Sequence, residues 1–283
     1  MDVTLLEQAN ADQEAIVRQM RPLALEDKTT LKVVDSGSGE VIIFLPMVAE
    51  LGFVYTPQIE EFSIDHRVIL YEPRLSWQSH FGIAARAGEV VALMNRLDLK
   101  SAHIVAWSDT GSAAYYLAKH WPERCQSIVF LGLADRYRFP QPLQFFTRVL
   151  ARMPVERLVP SWILAWILAR YLGGPRVNRL WVARRAAKVP HLSRLFKHSI
   201  LPNLIEHQPV ADEIKNVPCL VICGDNDALV SVEQASRMAK LLPNSREVAV
   251  ITGGEHFLSY VNASSVNKIM REFYFRLQST STR

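Results

Sequence analysis

The chain is short of cysteine, of long apolar runs and, over one stretch, of acidic residues. Its three cysteines, Cys125, Cys219 and Cys223, are too few and too irregularly placed for a disulfide framework. Cys219 and Cys223 lie in one strand-like run, where buried thiols are the simplest reading. The longest apolar run, Trp162 to Ala169 (WILAWILA), stops at Arg170. That falls far short of the roughly 20 residues a membrane-spanning helix needs. The stretch MDVTLLEQANADQEAIVRQ carries acidic residues early and no basic head before an apolar block, unlike a secretory signal. A cytoplasmic protein is expected. Ligand spacing is also missing among His66, His80, His103, His120, His191, His198 and His207, so no metal is expected. The glycine pair in SGSGE (36–40) is followed by neither a lysine nor a helix start, which sets aside a phosphate loop.

What is present describes a folded protein: 49% of residues are apolar and 21% charged, outside the range of disordered chains. The net charge of +4 hides an asymmetry. Residues 136–200 hold 13 Lys/Arg and one acidic residue, Glu156, a balance of +12, which leaves −8 for the rest. Such a split suggests a separate module.

Along the chain, Leu5, Leu6, Ala9, Ile16, Val17 and Met20 recur at helical spacing, which predicts an amphipathic helix docked on the body. Two β-rich runs follow, TLKVVD (30–35) and VIIFL (41–45), with SGSGE between them reading as a hairpin turn. Strand-like RVILYE (67–72), HIVAW (103–107) and SIVFLGLA (127–134) then alternate with helical patterns over 82–98 and 112–123. This alternation favours parallel strands covered by helices on both faces. From Asp135 to about Ile214 the pattern becomes helical, basic and punctuated by proline, predicting four or five short helices. Strand signatures resume at VPCLVICGDND (217–227) and REVAVITG (246–253), with helices over 231–243 and 264–277. The expected organisation is an N-terminal helix (1–25), a first α/β part (26–134), an all-helical insertion (135–214) and a second α/β part (215–283). The fold class is α/β, with a mostly parallel central sheet and helices on both faces.

The chemistry concentrates at strand ends. In HIVAWSDTG (103–111) a strand runs through a turn into a helix, the setting of a nucleophile elbow, whose flanks must be small because strand and helix backbones converge. With Ser108 as nucleophile the flanks are Ala106 and Thr110; with Asp109 one flank would be Trp107, which does not fit. A serine hydroxyl needs a base, and the base an orienting acid. Asp227 follows the strand CLVIC, and His256 follows VAVIT in TGGEHF. Taken singly, Ser108 reads as a helix cap, Asp227 as a turn aspartate and His256 as a surface histidine. Only jointly do they point to nucleophilic catalysis.

The elbow AWSDTG, the following YLAKHWPERCQSIVFLG, the acid loop GDNDALV and the histidine loop GGEHF together resemble the α/β-hydrolase superfamily, in its branch with a helical cap inserted after the sixth strand. The resemblance covers roughly residues 30–134 and 215–277. It implies a triad of Ser108, Asp227 and His256, with Asp225 the competing acid and the spacing after Gly224 selecting Asp227. It implies an oxyanion hole from the backbone N–H groups of Met47 and Asp109. Where most relatives carry His-Gly, this chain has Leu45-Pro46-Met47, and EPRLSWQS (72–79) lacks the glycines usual after the fourth strand. Asp109 reads either as a helix-start acid favoured by the dipole or as a partner for a cap arginine or a repellent of anionic acyl groups.

The resemblance implies a serine hydrolase acting on an ester or thioester with a hydrophobic acyl group, without a cofactor. The alternatives are acyl transfer, C–C bond hydrolysis, a cyclisation, or a ligand receptor that retains the triad. Trp107, Trp162 and Trp166 are expected to contact the substrate. The basic insertion reads as a solvated surface, or as a docking face for an acidic carrier protein or an anionic lipid surface through Arg148, Arg152, Arg184 and Arg185. Nucleic acid is not expected, because no binding motif accompanies the charge.

Overall fold

The computed structural model describes residues 3–74, 81–136, 157, 159–177, 179–242 and 248–281. Among them eight strands form one sheet: β1 (Arg21–Ala24), β2 (Thr30–Ser36), β3 (Glu40–Leu45), β4 (His66–Tyr71), β5 (Ala102–Trp107), β6 (Cys125–Leu131), β7 (Cys219–Gly224) and β8 (Val248–Ile251). Their spatial order is β1-β2-β4-β3-β5-β6-β7-β8. β2 runs antiparallel to both β1 and β4, and every later neighbour pair is parallel.

The central strands are apolar at successive positions because both faces are covered. Ile42 and Phe44 of β3, with Val105 and Trp107 of β5, enter one core; Ile43 and Leu45, with Ile104 and Ala106, enter the other. The first core is closed by α1 (Val3–Gln19), α2 (Thr56–Phe62) and the C-terminal helix, and the second by α3 (Ile83–Arg96), α4 (Thr110–His120) and the helix Val232–Lys240. Helix α1 docks through buried Ala9 and Ile16, and Gln13 Oε1 accepts the N–H of Phe53 at 3.0 Å. Val17, expected on that apolar stripe, faces solvent.

The expected hairpin over 30–45 does not form. β4 lies between β2 and β3, so these two strands share no ladder. The glycines serve a different purpose. Gly37 has φ +77°, and a Cβ there would sit 2.1 Å from the carbonyl oxygen of His66 and 2.5 Å from that of Ser63. The loop therefore passes against the start of β4 too closely for any side chain.

Between β6 and β7 the described residues form α5 (Ser161–Leu172), α6 (Arg179–Ala187), α7 (Leu192–Leu195) and, after a π-turn over Phe196–Ile200, α8 (Leu201–Glu206). Leu164, Ala165, Ala169 and Leu172 of α5 and Val182 and Ala183 of α6 join the first core. After β7 come α9 (Val232–Lys240), started by a Ser231–Gln234 capping box, then α10 (Leu258–Val261) and α11 (Ala263–Ser281).

His207 follows α8, buried, with Nε2 2.9 Å from the carbonyl of Ala134. Burial lowers its pKa to about 4, against the raising influence of that carbonyl and of Asp135. Burial likewise lowers His103 of β5 to about 4. The unfolded chain therefore binds protons first as pH falls. Stability held above pH 6.5 should decline toward pH 4, by roughly 2–3 kcal/mol for His207 alone. Denaturant titrations from pH 7 to 4.5 check this. His207→Gln should flatten the curve, and an equally steep curve in that variant would count against the assignment.

Candidate active site

β5 ends at Trp107 and the chain turns sharply at Ser108, whose φ of +58° is a left-handed conformation rarely taken by residues with a side chain. The N–H of Ser108 donates to the carbonyl of Leu131 at 2.9 Å, which ties the turn to β6. Thr110 Oγ1 lies 3.0 Å from the carbonyl of Leu45 and 2.8 Å from that of Trp107. A Cβ on Gly111 would meet Leu133 Cδ1 at 2.8 Å. Crowding of this kind is why the elbow's flanks are small.

Ser108, His256 and Asp227 come together at the ends of β5, β8 and β7. His256 Nε2 is 2.8 Å from Ser108 Oγ, and His256 Nδ1 is 2.8 Å from Asp227 Oδ2. The other carboxylate oxygen, Asp227 Oδ1, accepts the N–H groups of Leu229 (2.8 Å) and Val230 (3.0 Å), so the acid is held rigidly by its own loop. With Nδ1–H donated to Asp227, Nε2 presents its lone pair to the serine hydroxyl. Asp225 does not reach the histidine; its Oδ1 accepts the N–H of Gly253 at 2.6 Å and staples the two loops. Gly132, beside the pair, has φ +60°, a backbone conformation that favours glycine, although a Cβ there would make only ordinary contacts, 3.4 Å from His256 Cε1 and 3.5 Å from Asp227 Oδ2.

Met47 follows β3, and Asp109 follows the serine; both are buried. Neither backbone N–H donates to a protein acceptor among the described residues. The Asp109 carboxylate pairs with a core residue and not with a cap arginine. Its Oδ2 accepts from Arg86 Nη1 of α3 at 2.5 Å, with side-chain exposures of only 5% and 3%. Asn203 Nδ2, from α8, reaches the same oxygen at 3.3 Å, and Arg86 Nη2 donates to the carbonyl of Met47 at 3.4 Å. One guanidinium thus touches both Met47 and Asp109, the two residues expected to supply the oxyanion hole. The signal in sequence was a charge on an apolar helix face, since Arg86 and Glu89 lie among the buried Ile83, Ala87, Val90 and Leu93.

Two further carboxylates escaped the sequence reading. Glu255, buried beside His256, accepts the N–H groups of Arg176 (2.7 Å) and Val177 (3.2 Å), which joins the histidine loop to the helical segment. Glu89 accepts from Arg74 Nε at 2.6 Å and from its backbone N–H at 3.2 Å. That pair holds the start of the glycine-free loop after β4.

The three tryptophans are placed otherwise than expected. Trp107 is fully buried; its Nε1–H donates to the carbonyl of His256 at 2.7 Å, and its ring lies 5.3 Å from that of His256. It supports the histidine loop from beneath. Trp162 and Trp166 face solvent, because Leu164, Ala165, Leu168 and Ala169 form the inner side of α5. A different tryptophan, Trp181 of α6, lines an apolar cavity with Met47, Val48, Leu168, Leu172 and Val182. Arg185 also points inward, donating to Asn10 Oδ1 (3.0 Å) and the carbonyl of Glu50 (2.7 Å). Arg148 and Arg152 lie outside the described residues, and Arg184 is exposed.

A family model described as the alpha/beta hydrolase fold matches residues 60–263. A Synechocystis sp. protein named as a non-heme chloroperoxidase is 25% identical over 264 residues, covering 84% of this chain and 92% of its own. Among solved structures, a thermophilic esterase from Thermogutta terrifontis superposes with a TM-score of 0.74 at 19% identity, over 92% of this chain and 99% of that one. A meta-cleavage product hydrolase from Pseudomonas fluorescens gives a TM-score of 0.71 at 20% identity, over 90% and 97%. Strand order, the strained turn at Ser108 and the extent of the family match agree: the chain belongs to the alpha/beta hydrolase fold family.

Proposed function

We propose that this protein is a serine hydrolase that cleaves an ester or thioester with a hydrophobic acyl group. The observation that carries the reading is the continuous relay from Ser108 Oγ through both ring nitrogens of His256 to Asp227, with 2.8 Å at each step. Ser108 Oγ attacks the acyl carbon while His256 Nε2 takes its proton, and Asp227 stabilises the imidazolium. The oxyanion is bound by the N–H groups of Met47 and Asp109. As the C–O or C–S bond breaks, His256 returns the proton to the leaving group. Water, deprotonated by the same histidine, then releases the acid and restores Ser108.

The largely apolar cavity beside Met47, which Glu50 and Arg185 also line, supports a hydrophobic acyl group. Helices α5–α8 act as a cap in this reading, joined to the site by Glu255 and Asn203. Labelling with a fluorophosphonate probe and peptide mapping tests the nucleophile: a single adduct on Ser108 is expected. A panel of p-nitrophenyl esters then sizes the acyl site by its chain-length optimum. A folded protein that takes no label would overturn the proposal.

A further inference from the structure

The helical segment carries a surface that the chemistry at Ser108 does not use. Ten large apolar side chains are exposed among the described residues, and six of them, Trp162, Trp166, Ile167, Leu180, Ile205 and Val210, lie between α5 and the strand that follows α8. Two are tryptophans one helical turn apart, 62% and 52% exposed, and Arg170 continues the same row a turn later. Ile167 (48%) lies beside them on α5, and Leu180 (42%) is exposed on α6, which packs against α5.

The charges carried by α5 and α6 themselves have one sign, while Glu50 and Glu14 act on the inward-pointing Arg185 and Glu206 follows Ile205. From Arg157 to Ile205 the sequence contains nine Lys/Arg and no Asp/Glu. Arg170, Arg176, Arg179, Arg184, Lys188 and Arg194 are all exposed, and none has a carboxylate partner among the described residues. A solvated basic helix surface needs no tryptophan, and a buried interface with another apolar protein would not be ringed by unpaired cations. Tryptophan suits the headgroup level of a bilayer, where one edge of the ring is apolar and the N–H remains wet. Arginine stems can lie along the apolar zone while their guanidinium groups reach phosphate. None of the described helices is long and apolar enough to cross a membrane, so contact would be in the interfacial plane.

We propose that the outer face of α5 and α6 docks this protein on an anionic lipid surface, with Trp162, Trp166 and Ile167 entering the headgroup region and the surrounding arginines pairing with lipid phosphates. The proposal does not rest on the reaction at Ser108, and its test reads binding alone. The full chain is incubated with vesicles of phosphatidylcholine, or of phosphatidylcholine containing phosphatidylglycerol, and followed by co-sedimentation and tryptophan fluorescence.

Binding to the anionic vesicles should exceed binding to the neutral ones by at least about tenfold, as expected for several cations each favoured at an anionic surface. Raising salt to about 0.5 M should remove most of it. Trp162→Ala/Trp166→Ala should weaken binding to the anionic vesicles, with little effect on folding because both side chains are exposed; Arg170→Glu/Arg184→Glu should do the same through charge. Equal binding to the two vesicle types, or anionic binding untouched by the tryptophan pair, would overturn the proposal. So would failure to bind vesicles combined with salt-sensitive binding of an acidic carrier protein, which would assign the face to a protein partner.

Discussion

Ser108→Ala should abolish ester turnover, lowering kcat by roughly 10⁴–10⁶-fold while leaving the fold intact. The side chain is small and buried, and the loss of one hydroxyl removes a hydrogen bond to His256 without stranding a charge. His256→Ala should cost about as much, and the double variant little more than either alone, because residues that act as one unit are strongly non-additive. Asp227→Asn is a sharper probe. An amide in that position donates where the imidazole N–H needs an acceptor, so the ring turns to the unproductive tautomer and kcat falls by about 10⁴-fold with the geometry preserved. Steady-state kinetics on a soluble p-nitrophenyl ester decide the matter. Wild-type turnover by Ser108→Ala would exclude Ser108 as nucleophile. It would return attention to a reaction in which the pocket only shapes its substrate.

The second large effect is expected at Arg86. Arg86→Met leaves the Asp109 carboxylate buried with Asn203 as its remaining donor. Breaking one side of a buried ion pair costs about 3–5 kcal/mol, most of it the penalty of an uncompensated charge. Denaturant unfolding should show that loss. The double variant Arg86→Met/Asp109→Leu removes both charges and should recover most of the stability, since apolar replacement of a buried pair is often close to neutral.

Activity separates a structural role from a positioning role. Arg86 also donates to the carbonyl of Met47 at 3.4 Å, so it is expected to position the two residues whose amides are proposed to bind the oxyanion. The double variant should remain at least about tenfold down in kcat with KM little changed, as loss of a contribution specific to the transition state requires. Full recovery of kcat along with stability would show that the pair only supports folding.

The parts of this molecule that could be read in its sequence are those set by near neighbours. Strands β3, β5, β6 and β7 are short apolar runs bounded by turns, and the strand–turn–helix at Ser108 is written in one stretch of nine residues, HIVAWSDTG. Asp227 and His256 stand out for the same reason, each lying just past a strand. The choice between Asp225 and Asp227 needed more than the loop itself. In space it follows from which carboxylate faces the imidazole and which faces the Gly253 amide.

Other features depended on contacts remote in sequence. The two strands flanking SGSGE looked like a hairpin because local patterns cannot show a third strand entering between them. The run WILAWILA is apolar on every side of the helix, so its pattern has no phase from which to tell an inner from an outer face; packing put Leu164, Ala165, Leu168 and Ala169 inside and left Trp162 and Trp166 in water. Arg86, Asn203 and Glu255 find their partners across separations of 23, 94 and 79 residues. By itself, then, the sequence determined the alternation of strands and helices and the three side chains at the strand ends, because hydrophobic periodicity and turn chemistry act over a few residues. Only the tertiary structure decided which faces were buried and how the charges next to the serine were matched, because burial and charge pairing depend on groups that meet after the chain has folded.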